Sequence, residues 1–249
     1  MYRFFVEQNQ VGEQQCTITG MDVNHIKNVL RMKIGEEILV SNGTDKEYHC
    51  KISALEQDVV IADIVDIDGA KTELPAKIYL FQGLPKGDKM ELIIQKAVEL
   101  GAYAVVPVST SRTIVKLDAK KEASKLKRWN AISESAAKQS KRMIVPQVMP
   151  VMSFRDALAY VKDFDFKVIP YEEADNMAET LEKIRSVKAG QNICIFIGPE
   201  GGFGADEIEK AKEAGLLPVT LGKRILRTET AGLMLLSVMM FELEAGMEK

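Results

Sequence analysis

The chain has 249 residues, 46% of them hydrophobic and 28% charged, and a net charge of −3 at neutral pH. That length can bury one large core or two small ones, and the near balance of 33 basic and 36 acidic residues excludes an indiscriminate polyanion binder. Cys16, Cys50 and Cys194 are odd in number and far apart, no secretory signal is apparent, and no apolar stretch reaches membrane-spanning length. Reduced thiols in a cytoplasmic protein are therefore expected.

The first 67 residues read as short β-rich runs at 2–6, 16–19, 37–41, 48–55 and 59–65, separated by turn residues. One short helix is expected over 22–30, with Asp22 as its N-cap. Many short strands in so small a space imply a small barrel. The polar stretch 66–73 reads as a linker that ends before Pro75, which separates a first domain at 1–70 from a second at 74–249.

From Ala76 the pattern changes to strands alternating with helices. Strands are expected at 77–81, 104–108, 144–149, 166–171, 193–197 and 218–221. Helices are expected at 88–100, 119–140, 153–161, 175–186, 206–214 and 229–245. Within 88–100, Met90, Ile93, Ile94, Ala97 and Val98 share one face, Asp88 is a suitable N-cap and Gly101 a suitable C′ residue. Such alternation implies a parallel sheet with helices on both faces. The last helix carries apolar residues all round from Leu233 to Leu243, so it is either central to the fold or shared with a second subunit.

Two loops stand out. Gly198-Pro199-Glu200-Gly201-Gly202-Phe203 and Leu221-Gly222-Lys223-Arg224-Ile225-Leu226-Arg227-Thr228-Glu229-Thr230-Ala231 each follow a short apolar run. Glycines there let main-chain groups approach a ligand, and loops at the C-terminal ends of parallel strands build a crevice. The first loop lacks the Lys-Ser/Thr ending of a phosphate-binding loop and the spacing of a dinucleotide fingerprint. Glu200 would repel a phosphate and attract a cation. In the second loop a purely structural account makes Thr228 the helix N-cap, with Glu229 favoured in the first turn.

The segment from Arg112 to Arg142 holds ten basic residues against Asp118, Glu122 and Glu134, a local charge of +7 in an acidic chain. It reads either as a phosphate-facing surface or as a solvated helix face. Within it Trp129, Glu134, Gln139, Ser140 and Arg142 form a polar and aromatic set. His25 and His49 are the only histidines, and nothing near them has metal-ligand spacing.

Together these blocks resemble the small-subunit (16S) ribosomal RNA uridine-N3 methyltransferases, RsmE type, of the SPOUT superfamily. The resemblance runs in order along nearly the whole chain: His25 with Val29-Leu30-Arg31 and Gly35; 86–91 and 95–101; Arg112, Arg128-Trp129, Glu134, Gln139-Ser140, Arg142 and Pro146; then the two loops. Two positions depart from the pattern. Ser111 stands where the family often has Glu, and Gly204 where Ser is usual.

The resemblance implies a PUA-like β-barrel followed by an α/β methyltransferase domain with a C-terminal trefoil knot, and a homodimer. It implies S-adenosylmethionine as methyl donor and ribosomal RNA or the small ribosomal subunit as partner, with no membrane and no metal. On this reading Gln82, Gly83, Leu84, Gly198, Pro199, Glu200, Gly201, Gly202, Leu221, Gly222, Ile225 and Leu226 hold the donor. Arg227, Glu229 and Arg112 do the chemistry, with Glu229 and Glu200 as alternative bases. His25, Arg31, Lys120, Lys121, Lys125 and Arg142 meet RNA. Two other readings remain open here: an RNA-binding assembly factor that does no chemistry, and a nucleotide-binding enzyme that uses 198–203 for phosphate.

Overall fold

A computed structural model describes residues 1–43, 46–69, 72–174 and 176–247, apart from the Met247 side chain. Ala70 and Lys71 of the expected linker, and Asp175, expected to open a helix, lie outside the described residues. The chain forms two compact units, Met1–Glu73 with Ala137–Val145, and Leu74–Ala136 with Pro146–Lys249.

The first unit contains β1 (Tyr2–Phe5), β2 (Gln15–Thr19), α1 (Met21–Asn24), β3 (Glu37–Ser41), β4 (Lys46–Leu55) and β5 (Val59–Gly69). The sheet order is β1-β3-β4-β5-β2, with β1 and β3 parallel and the other pairs antiparallel. Among the described residues β1 and β2 are its two edges. Period-two patterning puts Ile38 and Val40, Tyr48, Cys50 and Ile52, and Val60 and Ala62 on one buried face with Phe4, Ile18 and Ile26. β4 shifts register against β5 at His49/Cys50 and Ile52/Ala54, and such bulges bend a strand around its core. Cys16 and Cys50 are buried free thiols, Sγ to Sγ 3.8 Å.

The helix expected over 22–30 is not one regular helix. After α1 the chain widens into a π-helical turn over His25–Val29. Gly20, at φ 73°, takes the N-cap position expected for Asp22. Asp22 instead pairs with Lys138 at 2.9 Å. The segment Ala137–Val145 is held by further polar contacts within this unit. Arg142 is 3% exposed and pairs with Glu73, whose carboxylate also accepts the Met143 N–H at 2.8 Å. The Ser41 hydroxyl donates to the Met143 carbonyl at 2.6 Å, and Arg3 donates to the Arg142 carbonyl at 2.9 Å.

The second unit runs β6 (Lys77–Gly83), α2 (Lys89–Glu99), β7 (Ala104–Ser109), α3 (Ala119–Gln139), β8 (Gln147–Val148), β9 (Met152–Ser153) and α4 (Phe154–Tyr160). It continues with β10 (Phe166–Pro170), α5 (Met177–Arg185), β11 (Asn192–Ile197), α6 (Ala205–Glu213), β12 (Leu217–Val219) and α7 (Thr228–Met247). The last residues of α3 are counted with the first unit. The sheet order is β12-β10-β11-β6-β7-β8, with β9 also beside β7, and every pair is parallel. Phe81 of β6 and Phe196 of β11 stack at 4.4 Å in its core.

Pro107 would be costly in a strand paired on both sides. β8 covers only Ala104–Val105 of β7 and β9 only Val108–Ser109, so Pro107 falls in the break between them. The expected strand 144–149 shrinks to β8, and the residues just before it, Arg142 and Met143, are tied to Glu73. The chain leaves β6 toward β7 on one side and later returns to place β11 on the other. Such a reversal leaves a crevice beyond the C-terminal ends of β6 and β11. α7 packs on α2, α5 and both of these strands. It buries Leu235, Leu236, Met239 and Leu243 and leaves Phe241 69% exposed.

Candidate functional site

Four loops leave the same edge of the second sheet, after β6, β7, β11 and β12. They are stitched together by contacts that their sequences do not announce. The Thr228 hydroxyl donates to the Gly198 carbonyl at 2.6 Å and accepts from Gln82 Nε2 at 2.8 Å. Gln82 is fully buried and Thr228 is 6% exposed. Thr228 is therefore not the N-cap that the bland sequence account makes it. Arg227 sits there instead, its carbonyl accepting the Thr230 and Ala231 N–H groups at 2.9 Å each.

The glycines serve two purposes. A Cβ on Gly83 would lie 2.5 Å from the Pro199 ring, and one on Gly198 2.9 Å from the Gly202 main chain. These two glycines let loops approach each other. Gly202 and Gly222 adopt φ of 66° and 101°, which L side chains rarely take. A Cβ on Gly201 would meet Arg112, nearest at its Cβ, 3.3 Å away. Leu84 is buried, Pro199 is buried, and Leu221 and Leu226 are half-buried. Ile225 is 87% exposed, an apolar side chain standing in solvent above this edge.

Charge gathers beside these loops. Lys89, in the first turn of α2, lies 3.1 Å from Glu200 and 3.3 Å from Glu229. Glu200 also accepts the Lys86 N–H at 3.1 Å. Burial pushes the Glu200 carboxyl up, but its own N–H, the Lys86 N–H and the Lys89 ammonium outweigh that and hold it below the usual carboxylate range. A depressed carboxyl stabilises the fold at neutral pH, and that contribution disappears as pH falls through the lowered value. Of the two carboxylates, Glu229 is the less exposed, with 17% of its side chain in solvent against 31% for Glu200. Arg227 is exposed, and Arg112 donates Nη1 to the Gly201 carbonyl at 2.7 Å. Sequence reasoning gave Lys89 no role of its own; it stood only within the 86–91 block, one past the Asp88 cap.

The expected RNA contacts divide. Lys120 and Lys121 are exposed at the start of α3, Lys121 facing Asp118 at 3.3 Å. Lys125 lies 3.8 Å from Asp88 and 4.0 Å from Glu91, so part of its charge is already neutralised. His25 sets its ring edge-on to Phe4 at 6.3 Å. Arg31 is exposed at a left-handed φ of 54°. Arg142 differs: its guanidinium is buried against Glu73, away from solvent. Trp129 is likewise buried. Among the described residues no cluster of His, Cys, Asp and Glu could hold a metal ion, and no helix is long and apolar enough to cross a membrane.

Two family models match the chain. Residues 72–240 match an RNA methyltransferase domain, and residues 18–65 match an RNA methyltransferase PUA domain. The ribosomal RNA small subunit methyltransferase E of Bacillus subtilis (strain 168) is 41% identical over 250 residues, covering 98% of each chain. A solved ribosomal RNA small subunit methyltransferase E from Neisseria gonorrhoeae, bound to S-adenosyl methionine, superimposes with a TM-score of 0.83 at 34% identity, covering 97% of each chain. A methyltransferase of Legionella pneumophila, solved with bound S-adenosylmethionine, gives 0.83 at 30% identity over 96% of each chain. The chain belongs to the ribosomal RNA small subunit methyltransferase E family.

Proposed function

We propose that the protein methylates N3 of a uridine in small-subunit ribosomal RNA, with S-adenosylmethionine as donor. The observation that carries the reading is the stitching of the β6 and β11 loops to the start of α7 through Gln82, Thr228 and Gly198. It supports a preformed crevice lined by main chain. The residues suit this donor. Gly201 and Gly202 open the 198–204 loop, and Leu221, Ile225 and Leu226 suit an adenine by apolar contact. Glu200 and Glu229, which share Lys89 as their one ion-pair partner among the described residues, favour a cation. When bound, the donor supplies an electrophilic methyl group on a sulfonium.

Everything else must come from the chain. Uridine N3 carries a proton and is a poor nucleophile until that proton leaves. In this reading Glu229 accepts it and Lys89 keeps the carboxylate in place. Arg227 and Arg112 stabilise the charge that develops on the uracil oxygens. The rest of the barrier falls by holding both reactants in line. Residues 1–70 act as the RNA-binding PUA-like barrel, through His25 and Arg31, and 74–249 as the catalytic domain, with Lys120, Lys121 and Lys125 toward phosphates. The family's knotted path, a homodimer formed over the exposed face of α7, and a cytoplasmic site of action belong to the same reading.

Thermal shift with S-adenosylmethionine, ATP and NAD tests the donor assignment. Only the first should raise the melting temperature, because only a ligand that prefers the folded state does so. A shift with ATP or NAD and none with S-adenosylmethionine would overturn it.

A further inference from the structure

The two positions at which the chain departs from the family pattern face each other. A Cβ on Gly204 would lie 3.0 Å from Ser111 Oγ. Between them stands Glu207, the third residue of α6 and only 8% exposed. Its Oε1 accepts the Ser111 N–H at 2.8 Å. Its Oε2 accepts the Ser111 hydroxyl at 2.8 Å and the Gly204 N–H at 2.9 Å. A helix capping box needs only the last of these. The two bonds to Ser111 do something further: they hold a turn that makes no other hydrogen bond to α6 among the described residues.

That turn is tight. The Thr113 N–H reaches the Thr110 carbonyl at 3.1 Å, and the Thr113 hydroxyl accepts the Thr110 N–H at 2.9 Å. Arg112 stands at its apex, donating Nη1 to the Gly201 carbonyl at 2.7 Å and otherwise exposed. A long exposed arginine loses considerable rotamer freedom when held in one pose. Anchoring its backbone to a buried carboxylate reduces what remains to be ordered when substrate arrives.

We propose that Glu207 is a positioning residue: through Ser111 it presets Arg112, already held by the Gly201 carbonyl, for a uracil oxygen or phosphate of the RNA. The inference rests on the functional reading above. Glu207 touches neither reactant; its whole contribution passes through Arg112.

A double-mutant cycle tests this. Glu207→Gln keeps shape but loses the charge that takes three donors. It should lower single-turnover methyl transfer about tenfold, the scale of one charge-assisted hydrogen bond, while S-adenosylmethionine affinity by calorimetry stays within about twofold. In an Arg112→Ala background the same change should cost almost nothing more. Ser111→Ala, a milder variant that leaves α6 capped, should show the same non-additivity, and Ser111→Thr, which keeps the hydroxyl, should restore the rate. If Glu207→Gln and Ser111→Ala cost the same with and without Arg112, the positioning role is wrong even though the enzyme is active. If the unaltered protein binds donor but transfers no methyl group to RNA, the functional reading fails and this inference with it.

Discussion

Replacing Thr228 by Val removes one hydroxyl and keeps the branched shape at the start of α7. The hydroxyl makes two bonds, 2.6 Å to the half-buried Gly198 carbonyl and 2.8 Å from the buried Gln82 Nε2. Gln82 Nε2 keeps a second acceptor, the Gly83 carbonyl at 3.0 Å, so the orphaned group is chiefly the Gly198 carbonyl. Leaving a buried polar group unsatisfied costs about 1–3 kcal/mol, the upper end falling away for a half-buried one. For a chain of this size that is a fall in melting temperature of roughly 2–12 °C. Because Gly198 opens the 198–204 loop, the variant should also bind S-adenosylmethionine more weakly, by up to about tenfold. Thr228→Ser keeps the hydroxyl and should lose little of either. Urea denaturation gives the stability and calorimetry the affinity. A Thr228→Val protein with unchanged stability and unchanged donor affinity would refute the idea that this hydroxyl organises the crevice.

Glu229→Gln should lower turnover by about a hundredfold or more, the scale of a positioned acid–base group, and raising pH should recover part of the rate as more uracil is already deprotonated; near-normal turnover at neutral pH would send the proton elsewhere. Charge reversal at Lys120 and Lys121 should weaken RNA binding and flatten its salt dependence with donor affinity intact; an unmoved salt slope makes the start of α3 a solvated face. Arg142→Met should destabilise the fold by about 3 kcal/mol by stranding Glu73, and RNA affinity, measured where the variant is still folded, should hardly change; a large loss of affinity without loss of stability would return Arg142 to the RNA surface.

The alternation of apolar runs with helical patterns made the parallel sheet of the second unit legible, and with it the loops that carry the candidate site. Strand order was not: nothing local to 193–197 says that it inserts beside 77–83. The glycines of 198–202 were visible as a loop, but the reason for Gly198 is the Gly202 main chain, and for Gly83 the Pro199 ring. Thr228 read as a helix cap because capping is a local habit; its bonds reach residues 146 and 30 positions away. Arg142 read as an RNA contact because it lies in a basic run, whereas a half-buried partner 69 residues earlier claims it. The π-helical turn at His25–Val29 breaks a helix whose residues carry no proline or glycine to announce it. For Gly83, Thr228 and Arg142, composition and spacing record local preference, and the outcome was settled by contacts distant in sequence.

The most direct test supplies small ribosomal subunits that lack the modification with the purified protein and S-adenosylmethionine bearing a deuterated methyl group. The RNA is then digested to nucleosides and examined by mass spectrometry. The account predicts labelled 3-methyluridine, formed in proportion to enzyme and lost with Glu229→Gln. Label on another base or on the ribose, or none at all from a protein that binds the donor, would contradict it.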